Sequence, residues 1–324
     1  MKICVYGVGA VGAYLAVKLA GIGAEVSCVA RGAHLEAIQK HGLKLIIDGR
    51  EEMVRIRAVE DLRELGPQDY VIMALKAPAA LAVAAHMAPL LGPKTAVVTA
   101  QNGLPWWYFY KSGGAYEGRR LAVADPEGKQ WDLIGPERAI GCVVYSAGAI
   151  VAPGVVAHSG GDKFILGEPD GLETPRIMEL ANLLIAAGLR APVRPDIRNE
   201  IWLKLWGNAT FNPISALTRA NLEQIVNDPE VCGIVRRGME EIEAVAAALG
   251  VTFPLSIDKR IEITGRLGGH KTSMLQDIES GRQMEVDALV GTVQELARLT
   301  GVLTPTLDII ASLVKLEAAV TGCG

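Results

Sequence analysis

The first twenty residues leave few folds open. A β-rich run, Lys2 to Tyr6, passes directly into Gly7-Val8-Gly9-Ala10-Val11-Gly12 and then into a helical pattern through Ala20. Strand, glycine turn and helix in that order form the dinucleotide-binding fingerprint. Gly7 permits the tight turn, Gly9 lets the backbone approach a pyrophosphate, and Gly12 lets helix and strand pack closely. The helix amino terminus then presents free N–H groups and a partial positive charge to the phosphates. Glycine is abundant, 36 of 324 residues, so the spacing alone is weak evidence. The flanking strand and helix give it weight.

The second strand, Glu25 to Ala30, ends where an acidic residue would hold an adenosine ribose hydroxyl, but the chain has Arg31-Gly32. A cation there suits a 2′-phosphate and predicts NADP(H) over NAD(H); the alternative is a solvated loop residue. Two further buried-strand runs follow, Tyr70 to Leu75 ending at Lys76 and Thr95 to Ala100 ending at Gln101-Asn102-Gly103. Ligands of an open α/β sheet collect beyond the carboxyl ends of strands, so Lys76 and Asn102 are candidate contacts. Asn102-Gly103 reads equally well as an ordinary turn. Ile140 to Ala147, with shorter runs at 154–158 and 163–166, suggests that the sheet finishes with antiparallel strands. Pro192, Pro195 and the charged stretch 196–200 mark a hinge. The fold expected is α/β: an N-terminal Rossmann-type doubly wound sheet over residues 1–195, then a C-terminal all-α domain over 196–324.

In the second half the apolar period becomes 3.6. Asp228-Pro229-Glu230 reads as a helix cap with proline at the first helical position, and Leu249-Gly250 as that helix's end. Ser273 to Gln276 has capping-box spacing, which gives Ser273 a structural role as an alternative to a functional one. Glu285-Val286-Asp287 opens a long helical pattern running to Leu299. The most unusual segment is Ile201 to Ile214, apolar except for a few positions, among them Lys204, Asn208 and Asn212. On a helix these three fall along one face over roughly 12 Å. Burying an unpartnered amide costs about 1–3 kcal/mol and an ammonium more, so the stripe either meets other protein groups or lines a ligand cavity.

If a nicotinamide delivers hydride to a carbonyl carbon, the oxygen needs a proton. An ammonium in apolar surroundings is pushed by desolvation toward the working range of a general acid, which makes Lys204 the candidate. The pair Tyr14 and Lys18 has the spacing of a short-chain dehydrogenase signature. It sits on the helix after the glycine turn, out of reach of a nicotinamide, and is rejected.

Composition excludes other classes. Net charge is −4 and 21% of residues are charged, which gives no electrostatic case for nucleic acid or an anionic membrane. The five cysteines have no CxxC spacing and read as reduced residues of a cytoplasmic protein. His34, His41, His86, His158 and His270 lack metal-ligand spacing, so no metal is expected. Glycines interrupt the apolar start, which is read as strand and turn rather than signal peptide.

Taken together, the glycine turn, Leu75-Lys76-Ala77, Gln101-Asn102-Gly103, Ile201 to Lys204 with Asn208 and Asn212-Pro213, and Thr272 to Asp277 followed by Glu285-Val286-Asp287 resemble the ketopantoate reductase (2-dehydropantoate 2-reductase) family over almost the whole chain. The resemblance implies a Rossmann domain followed by helices, and NADPH-dependent reduction of 2-dehydropantoate to (R)-pantoate in pantothenate synthesis. It makes Lys204 the proton donor, with Asn102, Asn208, Asn212 and Ser273 on the substrate. Lys76, Asn102, Ala147 and Glu285 would lie against the cofactor, Glu285 also influencing Lys204. The partner implied is a small 2-oxo acid, with a homodimer left open.

Two departures stand out. After Asn102-Gly103 the chain carries an aromatic run, Leu104 to Tyr110, and a segment expected to form a hairpin around Asp125 to Gly128. A substrate asparagine of many relatives aligns with Leu222, one position from Asn221. Both keep alternatives in play: a paralogous reductase or β-hydroxyacid dehydrogenase acting on another acid, or an NADP(H)-sensing protein without turnover. The aromatics read as a packed lid or subunit contact before a substrate contact.

Overall fold

A computed structural model describes residues 1–324. The chain divides into two compact units, residues 1–120 with 125–197, and residues 121–124 with 198–324.

The first unit holds the strands β1 (Lys2–Tyr6), β2 (Glu25–Val29), β3 (Leu43–Ile47), β4 (Arg50–Val54), β5 (Arg57–Val59), β6 (Gln68–Met73), β7 (Leu91–Thr99), β8 (Ala139–Ala152) and β9 (Val155–Gly167). They form one sheet in the order β4-β3-β9-β8-β7-β6-β1-β2-β5. From β5 to β8 the pairing is parallel throughout, the doubly wound arrangement, with its order reversing between β1 and β6. Parallel strands buried on both faces are nearly continuous apolar runs, and Ile3, Cys4, Val5, Val71 and Ile72 are almost wholly buried. The helices of this unit are α1 (Ala10–Gly21), α2 (Gly32–His41), α3 (Ala77–Val83), α4 (Lys129–Leu133) and α5 (Pro175–Ala186).

β8 and β9 are antiparallel, as their sequence suggests, but the two short runs at 154–158 and 163–166 are one long strand whose register shifts against β8. The sheet then extends further. β9 pairs in parallel with β3, and β3 pairs antiparallel with β4 across Asp48-Gly49, both at positive φ (48° and 76°). That is the backbone demand of a two-residue type I′ hairpin.

The segment after Asn102 corrects the hairpin expectation. Residues 125–133 form a 3-10 turn and α4, because the buried Asp125 carboxylate accepts from the backbone N–H groups of Gln130 and Trp131, each at 2.9 Å. The aromatic run is interior: Trp106, Trp107, Tyr108 and Phe109 are all buried, and Trp107 donates through Nε1 to Thr99 Oγ1 at 3.0 Å. Residues 121–124 belong to the helical unit, where Glu295 accepts from the N–H groups of Ala122 and Val123, each at 2.8 Å.

The second unit comprises α6 (Ile197–Thr218, its first residue counted with the first unit), α7 (Leu222–Asn227), α8 (Pro229–Ala248), α9 (Ile257–Gly265), α10 (Ser273–Glu279), α11 (Thr292–Thr300) and α12 (Pro305–Thr321). Asp228 caps α8 by accepting from Glu230 and Val231 N–H, and Gly250 follows its end at positive φ. Asn221 and Gln224 form the capping box of α7. The cap of α10 is Thr272, whose hydroxyl accepts from Leu275 N–H, so Ser273 is the first helical residue and not the cap. A π-helical turn, Asp287–Gly291, precedes α11 where a plain helix from Glu285 was expected.

Candidate active site

The glycine turn lies where the sheet order reverses. Gly7 has φ +99°, open to glycine, and a Cβ there would press on the Leu75 side chain. A Cβ at Gly12 would overlap the Gly7 carbonyl oxygen, so the helix–strand approach demands glycine. At Gly9 a Cβ would meet no protein atom within 4 Å, because that side faces open space. The open space is a groove of about 1080 Å³ lined by Gly7, Val8, Gly9, Arg31 and Lys76 among others. Its size, the bare backbone at Gly9 and the start of α1 beside it fit the pyrophosphate and one nucleoside of a nicotinamide dinucleotide.

Arg31 is the extended N-cap residue of α2, which directs it from the carboxyl end of β2 into this groove. It is exposed and has no ion-pair partner in the protein. Its charge reaches Tyr6: burial pushes the Tyr6 phenol up, and the Arg31 cation opposes that rise. Glu60, Asp61 and Arg63 also line the groove. Arg63 is held by Asp61 through contacts of 2.6–3.0 Å, so its charge is largely cancelled and Arg31 supplies the groove's unpaired cation at that end.

His34 was not foreseen. Gly154 N–H donates to its Nδ1 at 2.9 Å, which leaves Nε2 to donate to the Val8 carbonyl, also at 2.9 Å. The imidazole thus ties the glycine turn to the β8–β9 connection. Its position one turn into α2, three residues after Arg31, is the signal that could have found it.

The other predicted cofactor residues, apart from Glu285 in the helical unit, belong to the same unit as the glycine turn. Ala10, Val11 and Gly12 form the first turn of α1. Lys76 is the N-cap residue of α3 at the end of β6. Asn102 follows β7 in a bend, and its neighbour Gln101 donates to the Leu75 carbonyl at 2.8 Å, linking the loops after β6 and β7. Ala147 lies in β8, where a Cβ on the adjacent Gly148 would come within 3.5 Å of Ala10. Asn102 and Ala147 are not among the groove's lining residues. Tyr14 and Lys18 are occupied elsewhere, Tyr14 stacked on His158 at 4.1 Å and Lys18 paired with Glu52 at 2.7 Å.

In the helical unit α6 is a mostly buried rod. Trp202 and Trp206 are fully buried, and Trp206 satisfies its indole N–H on the Met239 carbonyl at 2.8 Å. Over residues 201–216 only Leu203, Lys204 and Asn208 are less than buried. Asn212, one turn on, is buried and donates to Ser273 Oγ at 3.4 Å. The structure therefore groups Asn212 with Ser273 and carries Lys204 and Asn208 on the same line of one helix. Pro213 continues α6 but removes a backbone donor, freeing the Ala209 carbonyl beside the stripe. Glu285 is half-buried in the stretch just before the π-helical turn, a backbone irregularity frequent at functional sites.

Comparison with known proteins settles the lineage. The family described as "Ketopantoate reductase PanE/ApbA" matches residues 3–171, and its C-terminal counterpart matches residues 196–318. The chain belongs to the ketopantoate reductase family. A relative named 2-dehydropantoate 2-reductase from Mesorhizobium japonicum is 54% identical over 324 residues, covering 100% of this chain and 99% of its own length. The crystal structure of a protein from Ralstonia solanacearum MolK2, provisionally called a ketopantoate reductase, superposes with a TM-score of 0.95 at 43% identity, covering 99% of both chains. That of 2-dehydropantoate 2-reductase from Geobacter metallireducens GS-15 gives 0.86 at 29% identity, covering 98% of this chain and all of the other. The first two likenesses are too extensive for the segment after Asn102 to be foreign to the family.

Proposed function

We propose that the protein is a 2-dehydropantoate 2-reductase, reducing 2-dehydropantoate to (R)-pantoate at the expense of NADPH, with Lys204 as the general acid. The observation that carries the reading is the 54% identity, end to end, with a protein of that name. A bound nicotinamide supplies a hydride to the substrate's C2 carbonyl carbon. Lys204 donates a proton to the carbonyl oxygen as it becomes an alkoxide, which completes the alcohol and leaves a neutral amine to be reprotonated from solvent. Asn208 and Asn212, one and two turns along α6, and Ser273 beside Asn212 supply amide and hydroxyl groups to orient the acid's carboxylate and hydroxyl. Asn102 is assigned to the substrate from the first unit. Gly7 to Gly12, Arg31, Lys76 and Ala147 bind the cofactor, with Arg31 on the 2′-phosphate. Glu285 is assigned a place against the cofactor and an electrostatic influence on Lys204. The burial of Trp106 to Phe109 favours a packing role over a part in substrate choice.

Lys204→Ala tests the mechanism. Removing a general acid lowers turnover by roughly 10²–10⁴-fold while the KM for NADPH stays within about twofold. Full turnover in that variant dismisses Lys204 as the acid without touching family membership.

A further inference from the structure

Gly207 is the one glycine inside α6, and glycine in a helix interior costs stability relative to alanine. Close approach explains it. A Cβ at Gly207 would come to 2.5 Å from Arg260 Nη2, so the missing side chain makes a seat for a guanidinium reaching over from α9. Gly207 lies three residues from Lys204 and next to Asn208, so it borders the polar stripe, and the guanidinium seated on it borders the stripe as well.

Helix α9 is fixed in place. Ser256 caps it by accepting from Lys259 N–H at 3.2 Å, Ile261 and Thr264 are buried, and a Cβ on Gly265 would come to 3.1 Å from Val226 of α7. Arg260 is half-buried and its Nε is enclosed. An arginine cannot discharge by losing its proton, so partial burial favours an anion at the guanidinium. The acidic side chains of α9 serve other cations: Asp258 pairs with Arg236, and Glu262 with Lys259 and Arg266.

The substrate class assigned above is itself anionic. A 2-oxo acid carries its carboxylate on the carbon next to the carbonyl that Lys204 is assigned to protonate, so a cation one turn from Lys204 stands at the right remove. Asn208, Asn212 and Ser273 are neutral groups. A guanidinium adds charge and a planar fork that matches a carboxylate. We propose that Arg260 binds the substrate's carboxylate and sets the preference of this protein for 2-oxo acids over uncharged 2-oxo compounds. The proposal rests on the reading of the α6 stripe as the substrate face.

Steady-state kinetics of wild type and Arg260→Gln test it, with 2-dehydropantoate and with its neutral lactone, which keeps the 2-oxo group and lacks the carboxylate. The lactone is scored as substrate or as competing ligand. The KM for the acid is expected to rise about 10- to 150-fold, the range of a charge-assisted hydrogen bond, with the KM for NADPH within about twofold and the lactone unaffected. Arg260→Lys, which keeps the charge without the fork, recovers part of the loss. Gly207→Ala pushes the guanidinium off its seat without lowering the melting temperature, and weakens the acid roughly threefold or more while sparing the lactone. That variant is an independent reading should Arg260→Gln fold poorly. Equal losses for acid and lactone, or no loss in either variant, overturn the proposal. If wild type turns over a different 2-oxo acid, the substrate reading alone fails, and Arg260 is judged by the same comparison between that acid and its methyl ester. A wild type that reduces no 2-oxo acid overturns both.

Discussion

Replacing Arg31 by alanine should cost the enzyme its discrimination between NADPH and NADH. The 2′-phosphate brings a charge of about −1.5 to −2 to the groove, and at 4 Å from a guanidinium the attraction per unit charge runs from about 1 kcal/mol in bulk water to about 4 kcal/mol at the effective dielectric of a protein surface. Arg31 is exposed, which pulls the value down, and Glu60 also lines the groove, whereas the Asp61 carboxylate is engaged by Arg63. A charge-assisted hydrogen bond in this setting contributes about 1.5–3 kcal/mol, or roughly 10- to 150-fold in affinity. The KM for NADPH should therefore rise by that factor in Arg31→Ala, with kcat little changed and the KM for NADH within about twofold. The assay is steady-state kinetics with both cofactors for wild type and variant, repeated at low and high ionic strength. Salt should erode the wild-type preference and leave the variant's unaltered. An unchanged NADPH-to-NADH ratio in Arg31→Ala refutes the assignment, and with it the argument that the groove reads the phosphate through this residue.

Two further substitutions probe the same groove. Gly12→Ala places a Cβ against the Gly7 carbonyl and should destabilise the first unit by about 1–3 kcal/mol while weakening cofactor binding, measured by thermal denaturation and NADPH fluorescence titration; a neutral result contradicts the close approach seen between α1 and β1. His34→Ala removes the donor to Val8 and the acceptor for Gly154, so the KM for NADPH should rise several-fold with kcat preserved, whereas an equal loss in kcat would point to a role in the chemistry.

Much of this architecture is legible in the residues because local and global demands coincide there. The glycines at 7, 9 and 12 answer steric needs set within a few residues, and the parallel strands announce themselves as apolar runs because both faces are buried. The stripe on α6 is legible for the opposite reason, three polar groups where burial tolerates none unpartnered. The β3–β4 hairpin is absent from the sequence reading although Asp48-Gly49 is a turn dipeptide, because β4 is charged (REEMV) and does not resemble a strand until its pairing with β3 is known. Other features depend on distant partners. Residues 121–124 join the helical unit through Glu295, 173 positions from Ala122, and no local pattern foretells that. Asp125 looked like a turn former and proves to cap a short helix. Ser273 lost the cap of α10 to Thr272, since two adjacent hydroxyl residues offer the same chemistry and only backbone geometry chooses between them. The π-helical turn after Glu285 adds one residue to a repeat that the sequence pattern counts as regular.

Reduction of 2-dehydropantoate by this family member is checked by following NADPH consumption by the purified wild-type protein across a panel of 2-oxo acids with product identification. The highest kcat/KM is expected with 2-dehydropantoate, with (R)-pantoate as the product and slower turnover with NADH. Preferential turnover of another 2-oxo acid, or NADPH binding with no oxidation by any member of the panel, contradicts it.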